Sequence, residues 1–211
     1  MKKRWTVLLA VIIGTVWTGT SFAESGGQVF YRIGSAHLAK DRGDEVFTDT
    51  LDGLGSDGTN NGTSGLDIGA GLDIPLTKIL DNTLLGEVFL DYAKFSDKQV
   101  VQTTSALTSP SPGTSHVVVS ELAVVVAPKY RFEFGKLRLW IIPIGLAFLV
   151  NSPPSNDTTY LDYGAHFGAG VEYRLVDLIS LGVDYRLTIG SGQSHTQNDY
   201  GSVGGYVGIN F

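Results

Sequence analysis

The stretch Gly65-Leu66-Asp67-Ile68-Gly69-Ala70-Gly71-Leu72-Asp73-Ile74-Pro75 alternates without a break. Leu66, Ile68, Ala70, Leu72 and Ile74 fill the even positions, and Asp67, Gly69, Gly71 and Asp73 the odd ones. A strand turns successive side chains to opposite faces, so this run is a ribbon with one apolar face and one polar or very small face. Outward from it, helical spacing is nearly absent and period two recurs. Residues 28–39, 84–95, 115–134, 160–174, 179–190 and 200–211 repeat the pattern, while 137–149, apolar on both faces, fits it least well. That makes eight strands of roughly ten or more residues, the length a tilted strand needs to cross a bilayer.

The connections alternate in length. Links 39–65, 95–115, 149–160 and 190–200 are long and rich in Asp, Asn, Gly, Ser, Thr and Pro, whereas 75–84, 134–137 and 174–179 are short. Long loops on one side and tight turns on the other are the layout of an outer-membrane barrel. The pattern predicts an all-β fold, an eight-stranded antiparallel up-and-down transmembrane β-barrel, over residues 24–211. An even strand number puts both termini on the turn side, facing the periplasm.

Composition agrees with this reading. The 211 residues are 43% hydrophobic and only 17% charged, and the 27 glycines are about twice the ordinary share. Ten phenylalanines and nine tyrosines argue against disorder. A formal charge of −6 excludes a nucleic-acid partner, which needs a basic surface. The absence of cysteine excludes a disulfide scaffold, a thiolate metal site, a Cys nucleophile and a lipoprotein anchor. Residues 1–23 read as a signal peptide: Lys2-Lys3-Arg4, then an apolar run from Trp5 to Val16, then Ser21-Phe22-Ala23 as the cleavage site. Losing those three positive charges takes the net charge from −6 to −9.

A soluble sandwich also alternates, but its outward face needs solubilising side chains. Here the polar faces mix glycines with charges of both signs: Arg32, Asp67, Asp73, Glu87, Asp91, Glu121, Arg131, Glu133, Arg138, Asp162, Glu172, Arg174, Asp184 and Arg186. Such a mixture suits a confined lumen where ionic groups must find one another. His166 falls on the same face beside Asp162 and reads as a hydrogen-bonded core histidine. An eight-stranded barrel is just wide enough for side chains to fill, which disfavours a wide aqueous pore.

With these residues in place, the chain resembles the small eight-stranded bacterial outer-membrane barrels of the OmpA/OmpX type, over essentially residues 24–211. The most specific element is the last strand, where Val203, Gly205, Val207 and Ile209 alternate outward and Phe211 ends the run. The resemblance implies that Val203, Val207, Ile209 and Phe211 form the signal read by periplasmic chaperones and the barrel-assembly machinery. Tyr is common in that family where Ile209 stands. Outer-membrane lipids and lipopolysaccharide are the other expected partners, the protein is expected to be a monomer, and no appended peptidoglycan-binding domain is expected.

Some barrels of this size are enzymes. The lipid A deacylase type carries His-x-Ser-Asn near the outer end of the penultimate strand, where this chain reads Leu187-Thr188-Ile189-Gly190. Ser194, His195 and Asp199 in the last loop, with His37 and His116 at other outer strand ends, are the residues from which a rim site could be built. A solvated loop is the simpler reading, and no catalytic residue, cofactor or metal site is assigned. The acidic first loop, Asp41, Asp44, Glu45, Asp49, Asp52 and Asp57, lacks EF-hand spacing. The favoured function is a structural or surface-interaction barrel with a plugged polar lumen.

Residues 137–149 leave an alternative open. If Arg138 faces inward, strict alternation also sends Trp140, Ile142, Ile144, Leu146 and Phe148 inward, an apolar wall of the kind that OmpW-like barrels use to pass small hydrophobic molecules. A two-residue turn at Gly135-Lys136 would set Glu133 against Arg138 and Arg131 against Trp140, with a guanidinium over the indole. It would also set Pro128 opposite Pro143 on the outer face, where two missing N–H groups share one rung.

Overall fold

The structure is a computed structural model of the chain and describes residues 26–39, 63–101, 114–152, 161–191 and 199–211. Eight strands follow one another: β1 (Gln28–Leu38), β2 (Ser64–Ile79), β3 (Asn82–Val101), β4 (Thr114–Phe134), β5 (Leu137–Ser152), β6 (Leu161–Val176), β7 (Ile179–Gly190) and β8 (Tyr200–Asn210). Each pairs antiparallel with its chain neighbours, and β8 returns to β1, so the sheet closes into a barrel with no free edge. The seam is finished by Gly27 and Phe211, which exchange backbone hydrogen bonds of 3.0 Å in both directions.

Several strands run beyond the alternating cores. Residues 75–84, read from sequence as a link, are mostly strand, because a β-bulge between Pro75 and Thr77 breaks the alternation without ending β2. The turn is only Leu80-Asp81, with Leu80 at φ 49°. β3 and β4 likewise continue to Val101 and from Thr114. The Gly135-Lys136 turn is present, Gly135 has φ 65°, and the expected register holds from Phe134–Leu137 through Tyr130–Ile141.

There the register slips by one. Between Ile142 and Gly145, β5 carries a bulge against both neighbours, and Pro128 and Pro143 fall in the same unpaired stretch of the β4–β5 ladder. Proline has no N–H to offer, and an extra residue absorbs the lost rung. Pro143 and Ile144 both point outward, which inverts the alternation beyond them. Ile144, Leu146 and Phe148 are therefore exposed on the outer face, contrary to the strict alternation, and Ala147, Leu149 and Asn151 fill the lumen instead. Gly145 closes the break: a Cβ there would lie 2.6 Å from the Ala127 Cβ, so β4 and β5 stay in contact where their ladder is interrupted.

The outer surface is a belt of exposed apolar residues, among them Ile33, Ile68, Leu90, Val126, Val183 and Val203. Among the described residues, lysines on this face stand away from mid-height, Lys94 in the loop-side half of β3 and Lys136 in a turn.

Candidate functional site

The inward faces carry the buried polar groups. Arg32 on β1 bonds Asp67 on β2, gives Nε to Asp184 on β7 at 2.7 Å, and gives Nη2 to the Ser202 hydroxyl at 3.1 Å. Asp184 in turn accepts from Arg186 Nε at 3.1 Å, and Arg186 grips Glu87 on β3 with both terminal nitrogens, at 2.6 and 3.2 Å. Glu87 shares Lys129 with Asp73, at 3.0 and 2.8 Å. One continuous chain of ion pairs thus links β1, β2, β3, β4 and β7 across the lumen, and its side chains are at most 2% exposed.

A second cluster lies towards the turn end. Arg138 donates to Glu133 at 3.1 Å and to Glu172 at 2.8 Å, and Arg131 Nε donates to Glu133 at 2.7 Å. Gln28 Nε2 donates to Glu172 and to Asn210, each at 3.0 Å. Between the clusters sits an apolar layer. Phe30 stacks on Phe89 with centroids 5.6 Å apart, and Trp140 donates its Nε1–H to the Tyr206 hydroxyl at 2.8 Å. The cations cap this layer, with Lys129 Nζ 4.2 Å from the Trp140 ring centroid and Arg186 4.1 Å from that of Phe89. The cations over Trp140 are therefore Lys129 and, at 5.2 Å, Arg186, not Arg131. Arg131 is its cross-strand neighbour, but its guanidinium is turned to Glu133 and the Gly26 carbonyl.

The remaining sequence-derived residues fall as follows. Asp91 accepts from the Tyr200 hydroxyl at 2.8 Å, in the half of the barrel away from the turns. Asp162 and Glu121 are buried. His166 is fully buried, with Nδ1 2.9 Å from Thr188 Oγ1. Arg174 is half-buried at the turn end and joins no ion pair among the described residues. Val203 and Val207 face outward, Ile209 shares their face, and Phe211 closes the seam. Ser194, His195 and the acidic residues from Asp41 to Asp57 lie outside the described residues. His116 lies on β4, in a part whose side chains are likewise outside them. His37 Nδ1 lies 2.8 Å from Ser64 Oγ, and among the described residues no carboxylate is bonded to it.

Lys129, Gln28, Ser202, Tyr206 and Asn210 complete the network and were not assigned to it from sequence. Parity could have found them, since Lys129 alternates with Tyr130, and Ser202 and Tyr206 with Val203 and Val207.

No protein-family model matches the chain, and no curated protein resembles it at a significant level. Solved structures do. The Neisserial surface protein A (NspA) shares 14% identity over 89% of this chain and 98% of its own, with a TM-score of 0.54. The chain has the fold of the small outer-membrane β-barrels. The outer membrane enzyme PagL is 13% identical over 87% of this chain and 99% of its own, with a TM-score of 0.48. The N-terminal barrel domain of Pseudomonas aeruginosa OprF is 17% identical over 89% and 98%, with a TM-score of 0.42. At these identities the likeness is one of architecture, and function must be argued from this barrel's own residues.

Proposed function

We propose that the protein is an integral outer-membrane barrel that is exported by the leader at residues 1–23, spans the bilayer with a closed lumen, and presents its long loops outward to surface partners, with both termini periplasmic. The observation that carries this is the ion-pair chain from Asp67 through Arg32, Asp184, Arg186, Glu87 and Lys129 to Asp73. In a water-filled pore these groups would stay hydrated; here each is ion-paired with an opposite charge, and together they occupy the section where a solute would pass. Among the described residues the outer belt carries no charge at mid-height, which suits hydrocarbon, a medium that solvates no backbone polar group and therefore requires a closed sheet. Outer-membrane lipids and lipopolysaccharide surround such a barrel, periplasmic chaperones and the assembly machinery deliver it through the Val203–Phe211 strand, and it acts as a monomer without catalysis.

Purified protein in planar bilayers tests the reading. The expected result is an absence of stable conductance, with an unchanged lipid A mass profile in cells that overproduce the protein. Steady porin-sized steps would overturn the closed lumen. Gain or loss of an acyl chain that requires Ser194 and His195 would overturn the non-catalytic role.

A further inference from the structure

At the turn end the barrel opens into a cavity of about 740 Å³. Four cationic side chains line it, Lys78, Arg131, Arg138 and Arg174, against three acidic ones, Asp81, Glu133 and Asp177. Glu133 is already engaged by Arg131 Nε at 2.7 Å and Arg138 Nε at 3.1 Å. Arg131 Nη2 donates to the Gly26 carbonyl and Arg138 Nη1 to Glu172, which leaves Arg131 Nη1 and Arg138 Nη2 without partners among the described residues. Arg174 and Lys78 make no side-chain hydrogen bond or ion pair among the described residues, although both line the cavity.

The other inward guanidinium groups show what such a group takes in this barrel. Arg32, Arg131, Arg138 and Arg186 are each held by at least one carboxylate. Arg174 is the exception among the described inward arginines, and it stands half-buried, where a planar donor is only partly hydrated. The cavity also has an apolar wall, formed by Pro75, Leu76 and Phe211. Its volume is in the range of small-molecule sites.

We infer that this vestibule binds a small organic monoanion through its carboxylate. The Arg174 guanidinium holds the two oxygens as a fork, Lys78 and the free edge of Arg138 add charge, and the apolar wall takes the carbon skeleton. Asp81 and Asp177 also line the cavity and oppose a second negative charge, so Arg174 and Lys78 suit a carboxylate monoanion better than a phosphate dianion. The site lies at the end opposite the long loops and does not depend on what those loops meet.

The test is calorimetric titration of the folded mature barrel in detergent micelles with N-acetyl-alanyl-alanine, with its C-terminal amide, and with inorganic phosphate. The free acid is expected to saturate, and the amide to bind about tenfold more weakly or less, as loss of a charge-assisted pair implies. Phosphate is expected to bind more weakly than the acid. Arg174→Gln, whose head group has no partner to lose, is expected to keep the heat-modifiable gel mobility of the barrel while weakening acid binding about tenfold. Lys78→Gln, read in parallel, is expected to weaken it less. Equal binding of acid and amide, tighter binding of phosphate, undiminished acid binding in both variants, or no saturation up to about 10 mM would each overturn the inference.

Discussion

At Lys129 one ammonium meets two carboxylates and an indole face: Asp73 at 2.8 Å, Glu87 at 3.0 Å and the Trp140 centroid at 4.2 Å. Removing one member of a buried ionic set strands the others, at a cost of about 3–5 kcal/mol. Lys129→Met should therefore lower the urea stability of the barrel in micelles by that order. Adding Asp73→Asn should recover most of it, because Glu87 keeps both terminal nitrogens of Arg186. A double variant as unstable as the single one would show that packing, not charge, sets the loss. Trp140 supplies a second check at this scale. It is one of three tryptophans, and the other two, Trp5 and Trp17, fall within the proposed leader, so fluorescence of a barrel prepared from residue 24 onward reports on the lumen alone. A Cβ on Gly170 would come within 2.5 Å of the Trp140 ring. Gly170→Ala should thus displace the indole, break its bond to Tyr206, red-shift the emission and cost about 1–3 kcal/mol. An unshifted spectrum would place the ring elsewhere.

For the strands, the instructive element is β5. Up to Ile142 its faces follow the order expected from the turn, and the Glu133–Arg138 pair forms at 3.1 Å. Beyond Pro143 the order inverts, because the bulge inserts one residue and a shift of one sends every following side chain to the other face. The sequence offered no sign of this, since Ile144, Leu146, Phe148, Ala147 and Leu149 are all apolar and either set could face inward. Where polar and apolar residues alternate strictly, as in β2 and β7, the inward set was legible residue by residue. The pairings within that set were not, because Arg32 reaches Asp184 and Arg186 reaches Glu87 across strands that are remote in sequence. Deleting Pro143 should remove the bulge and drive Ile144, Leu146 and Phe148 into a filled lumen. The expected outcome is loss of the folded, heat-modifiable band, whereas Pro143→Ala, which keeps the residue count, should retain it. A folded deletion variant would mean that the inversion does not depend on the extra residue.

The medium around the whole barrel is decided by its belt. Leu90 stands near mid-height on β3, is 50% exposed, and has Ala70 and Val124 as its ladder partners. Leu161, at the loop end of β6, is 67% exposed. In water an arginine at either position is nearly neutral, since both side chains already meet solvent. In a bilayer the two differ: a charge at the midplane costs about 2–4 kcal/mol, and one near the interface about 0–1 kcal/mol. The ion pairs inside cannot create that difference, because both positions lie on the outer face and touch none of them. Leu90→Arg should therefore destabilise the barrel folded into phosphatidylcholine vesicles by several times as much as Leu161→Arg, as read from urea titrations of the two variants. Equal and small effects would mean that the apolar belt is covered by something other than lipid.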